Sequence, residues 1–173
     1  MDNTLYSIQN GVLSINEGTN QIPDGKGFPG NMSINKVILP EGLESIGYDA
    51  FRYCKDLESI EFPSSLKYIN HNAFNGCEKL SRVVFPAGLE KIGAFAFQDC
   101  KQLEGIIIPD SVTEIMGGAF QGCCKLAKVS IGCGVKRIQR STFKDCKSLS
   151  RDEIKGSDDL FAEFNLQMQQ NSD

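Results

Sequence analysis

Apolar residues recur along this chain in a frame of 23 residues. The stretch 57–80 reads Leu-x-x-Ile-x-Phe-Pro-x-x-Leu-x-x-Ile-x-x-x-Ala-Phe-x-x-Cys-x-x-Leu. Three of its columns keep one residue type through five copies: Phe51, Phe74, Phe97, Phe120 and Phe143; Cys54, Cys77, Cys100, Cys123 and Cys146; Leu57, Leu80, Leu103, Leu126 and Leu149. Self-similarity at a fixed period of this length predicts a solenoid, in which each coil buries its apolar side against its neighbours.

Each coil is predicted to hold one short strand around its Ile-x-Phe or Val-x-Phe segment. In the second coil Ile60 and Phe62 point inward and Ser59 and Glu61 point outward, because side chains alternate along a strand. Pro63 follows and ends the ladder, since proline has no N–H to donate. No coil contains an amphipathic segment of helical length, so turns, 3₁₀ pieces or second short strands are expected on the opposite side. The phenylalanine column predicts a continuous spine of stacked rings.

The frame resembles the BspA-like leucine-rich repeats of bacterial and protist surface antigens. The resemblance lies in Pro63 after the strand, Ile46-Gly47, Ala73-Phe74 and Gly76-Cys77, and it covers residues 37–151, with a weaker match over 27–36. It implies a curved right-handed leucine-rich repeat solenoid with a parallel β-sheet on the concave face and little helix. It also implies a role in binding proteins, often at a cell surface, and no catalysis.

The sequence predicts a single solenoid domain in three parts. Residues 1–36 form an N-terminal hairpin cap and an incomplete repeat, 37–151 form five 23-residue repeats, and 152–173 form a C-terminal capping helix and tail. Asn10-Gly11 between two apolar runs is typical of a type I′ hairpin turn, and 16–30 is predicted as loop. Ser157, followed by Asp158 and Asp159, predicts the start of a helix over 158–169. That helix either caps the solenoid or binds a partner.

Charge and hydropathy narrow the function classes. The net charge is −4, and residues 151–173, with six acids and two bases, carry all of it, so residues 1–150 balance at zero. A neutral body predicts no nucleic-acid partner, because phosphate binding requires clustered Lys and Arg. No apolar run approaches the length of a membrane span. The first residues lack the pattern of a signal peptide, so we expect a cytoplasmic protein, or a surface protein whose targeting segment has been removed.

The chemistry-bearing residues predict no catalytic, cofactor or metal site. Seven cysteines are an odd number, and five of them share one column; equivalent side chains in a stack point the same way, which favours buried free thiols over disulfides. Cys124 and Cys133 lie off the column and are expected to be the more exposed thiols. His71, the only histidine, occupies a variable repeat position, which indicates a surface residue rather than a catalytic base.

Outward positions on the concave strands predict where a partner binds. They form two rows: Lys36, Ser59, Arg82, Gly105 and Lys128, then Ile38, Glu61, Val84, Ile107 and Ser130. Exposed β-branched residues beside a charged rim are the pattern of an interface. We therefore predict a partner-binding site at Lys36, Ile38, Ser59, Glu61, Arg82, Val84, Ile107 and Lys128. Isolated exposed apolar residues are also ordinary on a sheet. The chain is either a protein-interaction module or part of an adhesin that binds host or matrix proteins.

Overall fold

The computed structural model describes residues 6–156, and it is built almost entirely of short strands and turns. Two 3₁₀ helices lie near the C-terminal end, at Arg140–Phe143 and Arg151–Glu153. The described residues form twelve strands: β1 Tyr6–Gln9, β2 Val12–Ile15, β3 Gln21–Ile22, β4 Lys36–Ile38, β5 Ser45–Ile46, β6 Ser59–Glu61, β7 Tyr68–Ile69, β8 Lys91–Ile92, β9 Gly105–Ile108, β10 Glu114–Ile115, β11 Lys128–Ile131 and β12 Ile154–Lys155.

Parallel strands of successive coils stack into two walls, which confirms the predicted solenoid. One wall is the concave face. It contains β2, β4 and β6, with β1 added at one end, and then β9, β11 and β12. The second wall is a continuous sheet of the two-residue strands β3, β5, β7, β8 and β10. Its registers, such as Ile46 beside Ile69 and Ile69 beside Ile92, repeat the 23-residue period. The core lies between these walls.

The N-terminal hairpin is present, and it belongs to the solenoid more closely than the sequence predicts. Strands β1 and β2 pair antiparallel, and the turn residues Asn10 and Gly11 have φ of 50° and 81°, as a type I′ turn requires. Strand β2 also pairs in parallel with β4, with Leu13 beside Val37. The second strand of the hairpin is therefore the concave strand of the first coil.

The predicted loop 16–30 also contains a strand of the second wall. In β3, Ile22 is buried and lies beside Ile46 of β5. Ile22 precedes its partner Ile46 by 24 residues, whereas Phe28 precedes Phe51 by 23. The first coil therefore has one extra residue between Ile22 and Phe28. The extra residue shifts the frame, which explains why the sequence pattern indicates a coil only from residue 27.

The predicted phenylalanine spine runs through the centre of the solenoid. Phe51, Phe74, Phe97 and Phe120 are fully buried. Their ring centroids are 5.2, 5.1 and 5.4 Å apart in turn, with interplanar angles of 12° or less. Stacked aromatic pairs at such distances stabilise a core beyond their area burial. Backbone hydrogen bonds join neighbouring coils at the same positions. The Phe97 N–H, for example, donates to the Ala119 carbonyl of the next coil at 2.7 Å.

The column cysteines form a second ladder beside the rings. All seven cysteines of the chain are free. Each column thiol donates to the carbonyl of the preceding coil's phenylalanine, as Cys77 Sγ does to Phe51 at 3.1 Å. Burial raises the pKa of the Cys54 thiol to about 11, and it raises the pKa of the Cys77 and Cys100 thiols well above the ordinary value. The column therefore consists of buried free thiols, as predicted, and each is hydrogen-bonded to a backbone carbonyl.

Thiol titration should separate these classes of cysteine. In denaturant without reductant, a disulfide-exchange reagent should count close to all seven thiols. In the folded protein it should react first with exposed Cys133 and more slowly with half-buried Cys124. The buried thiols should stay unreactive, because burial shields them from the reagent. At Cys54, Cys77 and Cys100 a raised pKa also keeps the reactive thiolate scarce. One reactive thiol or none in denaturant would mean that the column is paired in disulfides.

The C-terminal end of the solenoid is extended by one more strand. Strand β12 pairs in parallel with β11, with Ile154 beside Val129. Ile154 follows Val129 by 25 residues rather than 23, so β12 does not follow the repeat period. The predicted capping helix at 158–169 lies outside the described residues. Within the described part of the chain, no helix has the length and apolar character needed to cross a membrane.

Candidate binding face

The two predicted rows of outward residues lie side by side on the concave face. Strand register places Lys36 beside Ser59 and Ile38 beside Glu61, and Gly105 beside Lys128 and Ile107 beside Ser130. The buried neighbours on the same strands, such as Val37 and Ile106, point into the core. Alternation along the strand therefore holds, and the structure brings all eight predicted site residues to one face.

The apolar part of this face is narrower than the sequence pattern suggests. Val84 and Ile107 occupy the same position in successive coils and are 64% and 73% exposed. Ile38 is exposed as well, but Glu61 separates it from Val84 in the row. Single exposed apolar residues are ordinary, but neighbouring ones beside charged residues are typical of an interaction site. The contiguous apolar patch is thus the Val84–Ile107 pair.

Two of the predicted rim charges neutralise each other. Lys36 Nζ lies 2.9 Å from a carboxylate oxygen of Glu61, across adjacent strands. The sequence predicts both Lys36 and Glu61 as partner-binding residues of this face, with no pairing between them. Their pairing leaves this end of the face with little net charge. It therefore offers less electrostatic attraction to a partner than the sequence suggested.

The remaining rim cations are available. Arg82 and Lys128 are exposed, and neither forms an ion pair with another residue in the range 6–156. In the same row, Gly105 lies between them and has no side chain. The free positive charge of the concave face is therefore concentrated on either side of Gly105.

The concave sheet is interrupted at these residues. An isolated bridge joins Ser59 to Arg82, but the segment 83–85 forms no strand, and β9 pairs only with β11 and not with that segment. Gly105 begins β9 at the interruption, and glycine weakens a strand because it has no side chain to pack. The sequence predicts one short strand in each coil, whereas this coil forms only the isolated bridge at Arg82.

Two grooves lie at the break, on either side of Val84. The larger has a volume of about 620 Å³ and extends over Arg82, Val84, Gly105, Ile107 and Lys128 to strand β12. The smaller has a volume of about 400 Å³ and is lined by Ser59, Glu61, Arg82 and Val84, among others. The predicted site residues therefore surround concave surface that could receive side chains from a partner.

Sequence reasoning missed three residues of the larger groove. In the sequence, Gly105 is only one position in a row of outward residues, whereas in the structure it lines the groove where the neighbouring positions carry side chains. Glu153 and Lys155 line the far end of the groove. They reach it through β12, which lies off the repeat period. A glycine in a row otherwise occupied by side chains was the only signal in the sequence.

The other candidate residues of the sequence lie on turns, outside the concave face. Among residues 6–156, no three His, Cys, Asp or Glu side chains are grouped to hold a metal ion. His71 is half-buried, and its ring packs against Tyr48 at a centroid distance of 5.1 Å. Exposed Phe95 has φ of 58°, and its ring covers Gly118 of the next coil. These aromatic residues pack between coils, on the turns outside the concave face.

Comparison with known proteins places the repeats in a sequence family. The model of the family described as the BspA type leucine rich repeat region matches residues 21–150 in six copies. The sixth copy agrees with the coil that the structure adds ahead of residue 37. A comparison with curated proteins finds no match.

Solved structures of bacterial leucine-rich repeat proteins have the same fold. The Treponema pallidum leucine rich repeat protein is 31% identical, with a TM-score of 0.77, over 87% of this chain and 78% of that one. A leucine rich cell surface protein of Faecalibacterium prausnitzii is 26% identical, with a TM-score of 0.59, over 91% of this chain and 34% of that one. The pneumococcal vaccine antigen PcpA is 25% identical, with a TM-score of 0.50, over 87% of this chain and 32% of that one.

Proposed function

Because the chain belongs to the BspA-type leucine-rich repeat family, we propose that it is a non-catalytic interaction module whose concave face binds another protein. Leucine-rich repeat proteins are typically protein-interaction modules, and solenoids use their concave surfaces for binding. One observation carries the proposal. Val84 and Ile107 are β-branched, occupy the same position in successive coils, line the same groove and are 64% and 73% exposed.

The surroundings of this pair support the same function. Interfaces combine a small apolar centre with a polar and charged rim, and a few central residues provide most of the binding energy. Here Arg82 and Lys128 flank the apolar pair, and the grooves beside Val84 are depressions that partner side chains could fill. A flat and fully polar sheet face would have none of these properties.

The alternative is that the chain acts within an adhesin and binds host or matrix proteins. The observation in its favour is the relative from Faecalibacterium prausnitzii, which is described as a cell surface protein. The two functions use the same face and differ in compartment. Fractionation of cells that express the complete gene product, with surface labelling of intact cells, distinguishes them.

Site-specific photo-crosslinking tests the proposed binding face. A photo-reactive benzoylphenylalanine replaces Ile107 in one variant and Phe95 in a matched control variant. Both positions are exposed, but Phe95 lies outside the concave face. After irradiation in the native host, a discrete crosslinked protein should form at position 107 and be absent at position 95. Crosslinking of the same partner at position 95 alone would contradict the proposal.

A further inference from the structure

We infer that the groove over Gly105 binds a carboxylate side chain from an extended acidic segment of the partner protein. This inference rests on the proposed function, since it names the chemistry that the concave face recognises. The groove is about 620 Å³ in volume. Gly105 forms the floor of the groove, and it is the only residue without a side chain in the row from Lys36 to Lys128. A partner side chain can therefore approach the backbone here.

Two cations lie on opposite sides of this floor. Lys128 lies directly beside Gly105 in the sheet, and Arg82 lines the same groove from the preceding coil. Both side chains are long enough to reach a group above Gly105. Neither has an ion-pair partner within residues 6–156. A carboxylate accepts hydrogen bonds from a guanidinium and an ammonium at the same time, so it matches this pair of cations.

The charge of the groove favours an acidic ligand. Its lining includes Arg82, Lys128 and Lys155 against one carboxylate, Glu153. Three positive charges and one negative charge leave a net charge of +2. Complementary charge steers association and suppresses wrong partners. A basic or neutral segment would leave these cations without partners in a surface that becomes partly dehydrated on binding.

The apolar pair determines the second feature of the ligand. Ile107 lies two residues beyond Gly105 on strand β9, a distance of about 6.6–6.8 Å at the usual strand rise. Alternate side chains of an extended peptide have the same spacing. An acidic residue over Gly105 therefore brings the residue two positions away onto Val84 and Ile107. The preferred ligand segment is acidic-x-apolar, where the apolar residue is Val, Ile, Leu or Phe.

Gly105 itself can be filled without strain. A Cβ atom there would have its nearest contacts at 3.5 Å from the Lys128 carbonyl oxygen and 3.8 Å from the Lys128 Cβ, which are ordinary packing distances. Valine also favours a strand more than glycine does. Gly105→Val should therefore close the groove and leave the thermal midpoint unchanged or raised. Gly88→Val is the matched control, since a Cβ at Gly88 also meets only one carbonyl oxygen at 3.5 Å, away from this groove.

The test uses the full chain and a fluorescein-labelled peptide, Thr-Ser-Glu-Thr-Val-Thr-Ser-Gly, in fluorescence anisotropy at low and at physiological salt. Saturable binding with a Kd below about 1 mM is expected. Replacing Glu with Gln in the peptide should weaken binding about 3- to 10-fold, and replacing it with Lys should abolish it. Replacing Val with Ser should also weaken binding. Equal affinity for the Glu and Lys peptides, or no saturable binding, would overturn the inference.

Variants of the chain locate the peptide. Gly105→Val should reduce affinity at least about 10-fold, and Arg82→Gln and Lys128→Gln should each reduce it about 3- to 10-fold. The controls Gly88→Val and Lys147→Gln, whose positions lie outside the groove lining, should bind as the natural chain does. Unchanged affinity in Gly105→Val would remove the groove as the binding site.

The chain's own acidic C-terminal segment is the other candidate ligand. Neutralising it in the full chain by Asp158→Asn, Asp159→Asn and Glu163→Gln distinguishes the two. Peptide affinity should change less than about 3-fold if the ligand is a partner. A larger gain would assign the groove to the tail and overturn the partner assignment. If the partner identified by crosslinking at position 107 is not displaced by the Glu peptide, the acidic ligand is wrong while the proposed function stands.

Discussion

Replacing Phe97 with alanine is expected to destabilise the protein by about 3–5 kcal/mol, which is the usual cost of removing a buried ring. Phe97 is fully buried and stacks on Phe74 at 5.1 Å and on Phe120 at 5.4 Å. A solenoid coil contacts only its neighbours, so a cavity here weakens both interfaces of one central coil. Urea denaturation followed by circular dichroism measures the loss.

The matched control for this change is Phe95→Ala. It is the same substitution two residues away, but the Phe95 ring is 40% exposed, so its removal should cost about 1 kcal/mol or less. The difference between the two variants isolates the contribution of the spine. An equal loss of stability in both, or a thermal midpoint for Phe97→Ala within a degree or two of the natural chain, would show that the rings do not hold the coils together.

The double change Val84→Asp and Ile107→Asp is expected to abolish partner binding while the protein stays folded. Central interface residues commonly contribute about 2 kcal/mol or more each, and burying a carboxylate in an apolar contact adds a desolvation cost. The two new acids would also pair with Arg82 and Lys128 and occupy the cations that the partner needs. Because both positions are mostly exposed, the loss of stability should be small. Binding is measured by titration calorimetry with the free partner, once crosslinking has identified it.

Two control variants separate the effects of charge, shape and location. Val84→Thr with Ile107→Thr keeps the β-branched shape without charge, so it should weaken binding less than the aspartates do. Tyr53→Asp with Phe95→Asp places two acids at exposed aromatic positions outside the concave face and should leave affinity unchanged. If the concave double variant retains affinity within about a factor of two, the partner binds elsewhere.

The sequence alone predicts the features that repeat in every coil. The columns of Phe51, Cys54 and Leu57 recur because stacking places equivalent side chains against one another, so a fixed period is a direct consequence of the fold. The same logic identifies the outward rows, since Ser59 and Glu61 alternate with the buried residues of their strand.

Features that depart from the period could not be predicted in this way. The first coil has 24 residues, and β12 follows β11 after 25, so neither aligns with the frame. The Lys36–Glu61 ion pair depends on how two flexible side chains reach across strands, which no column shows. The break in the sheet beside Gly105 depends on main-chain pairing between two coils. These departures, rather than the regular columns, determine the shape and charge of the candidate site.

The location of the binding face is tested most directly by nuclear magnetic resonance. The backbone amide chemical shifts of the full chain are measured while the free partner, once identified by crosslinking, is added. Each amide reports its own surroundings, so no substitution is needed and no loss of folding can be mistaken for a loss of binding. The largest shift changes should occur at Val84, Gly105 and Ile107, with little change at Tyr53 and Phe95. The contrary result would be large changes around Tyr48, His71 and Phe95 with the concave residues unmoved, and it would place the partner on the turns instead.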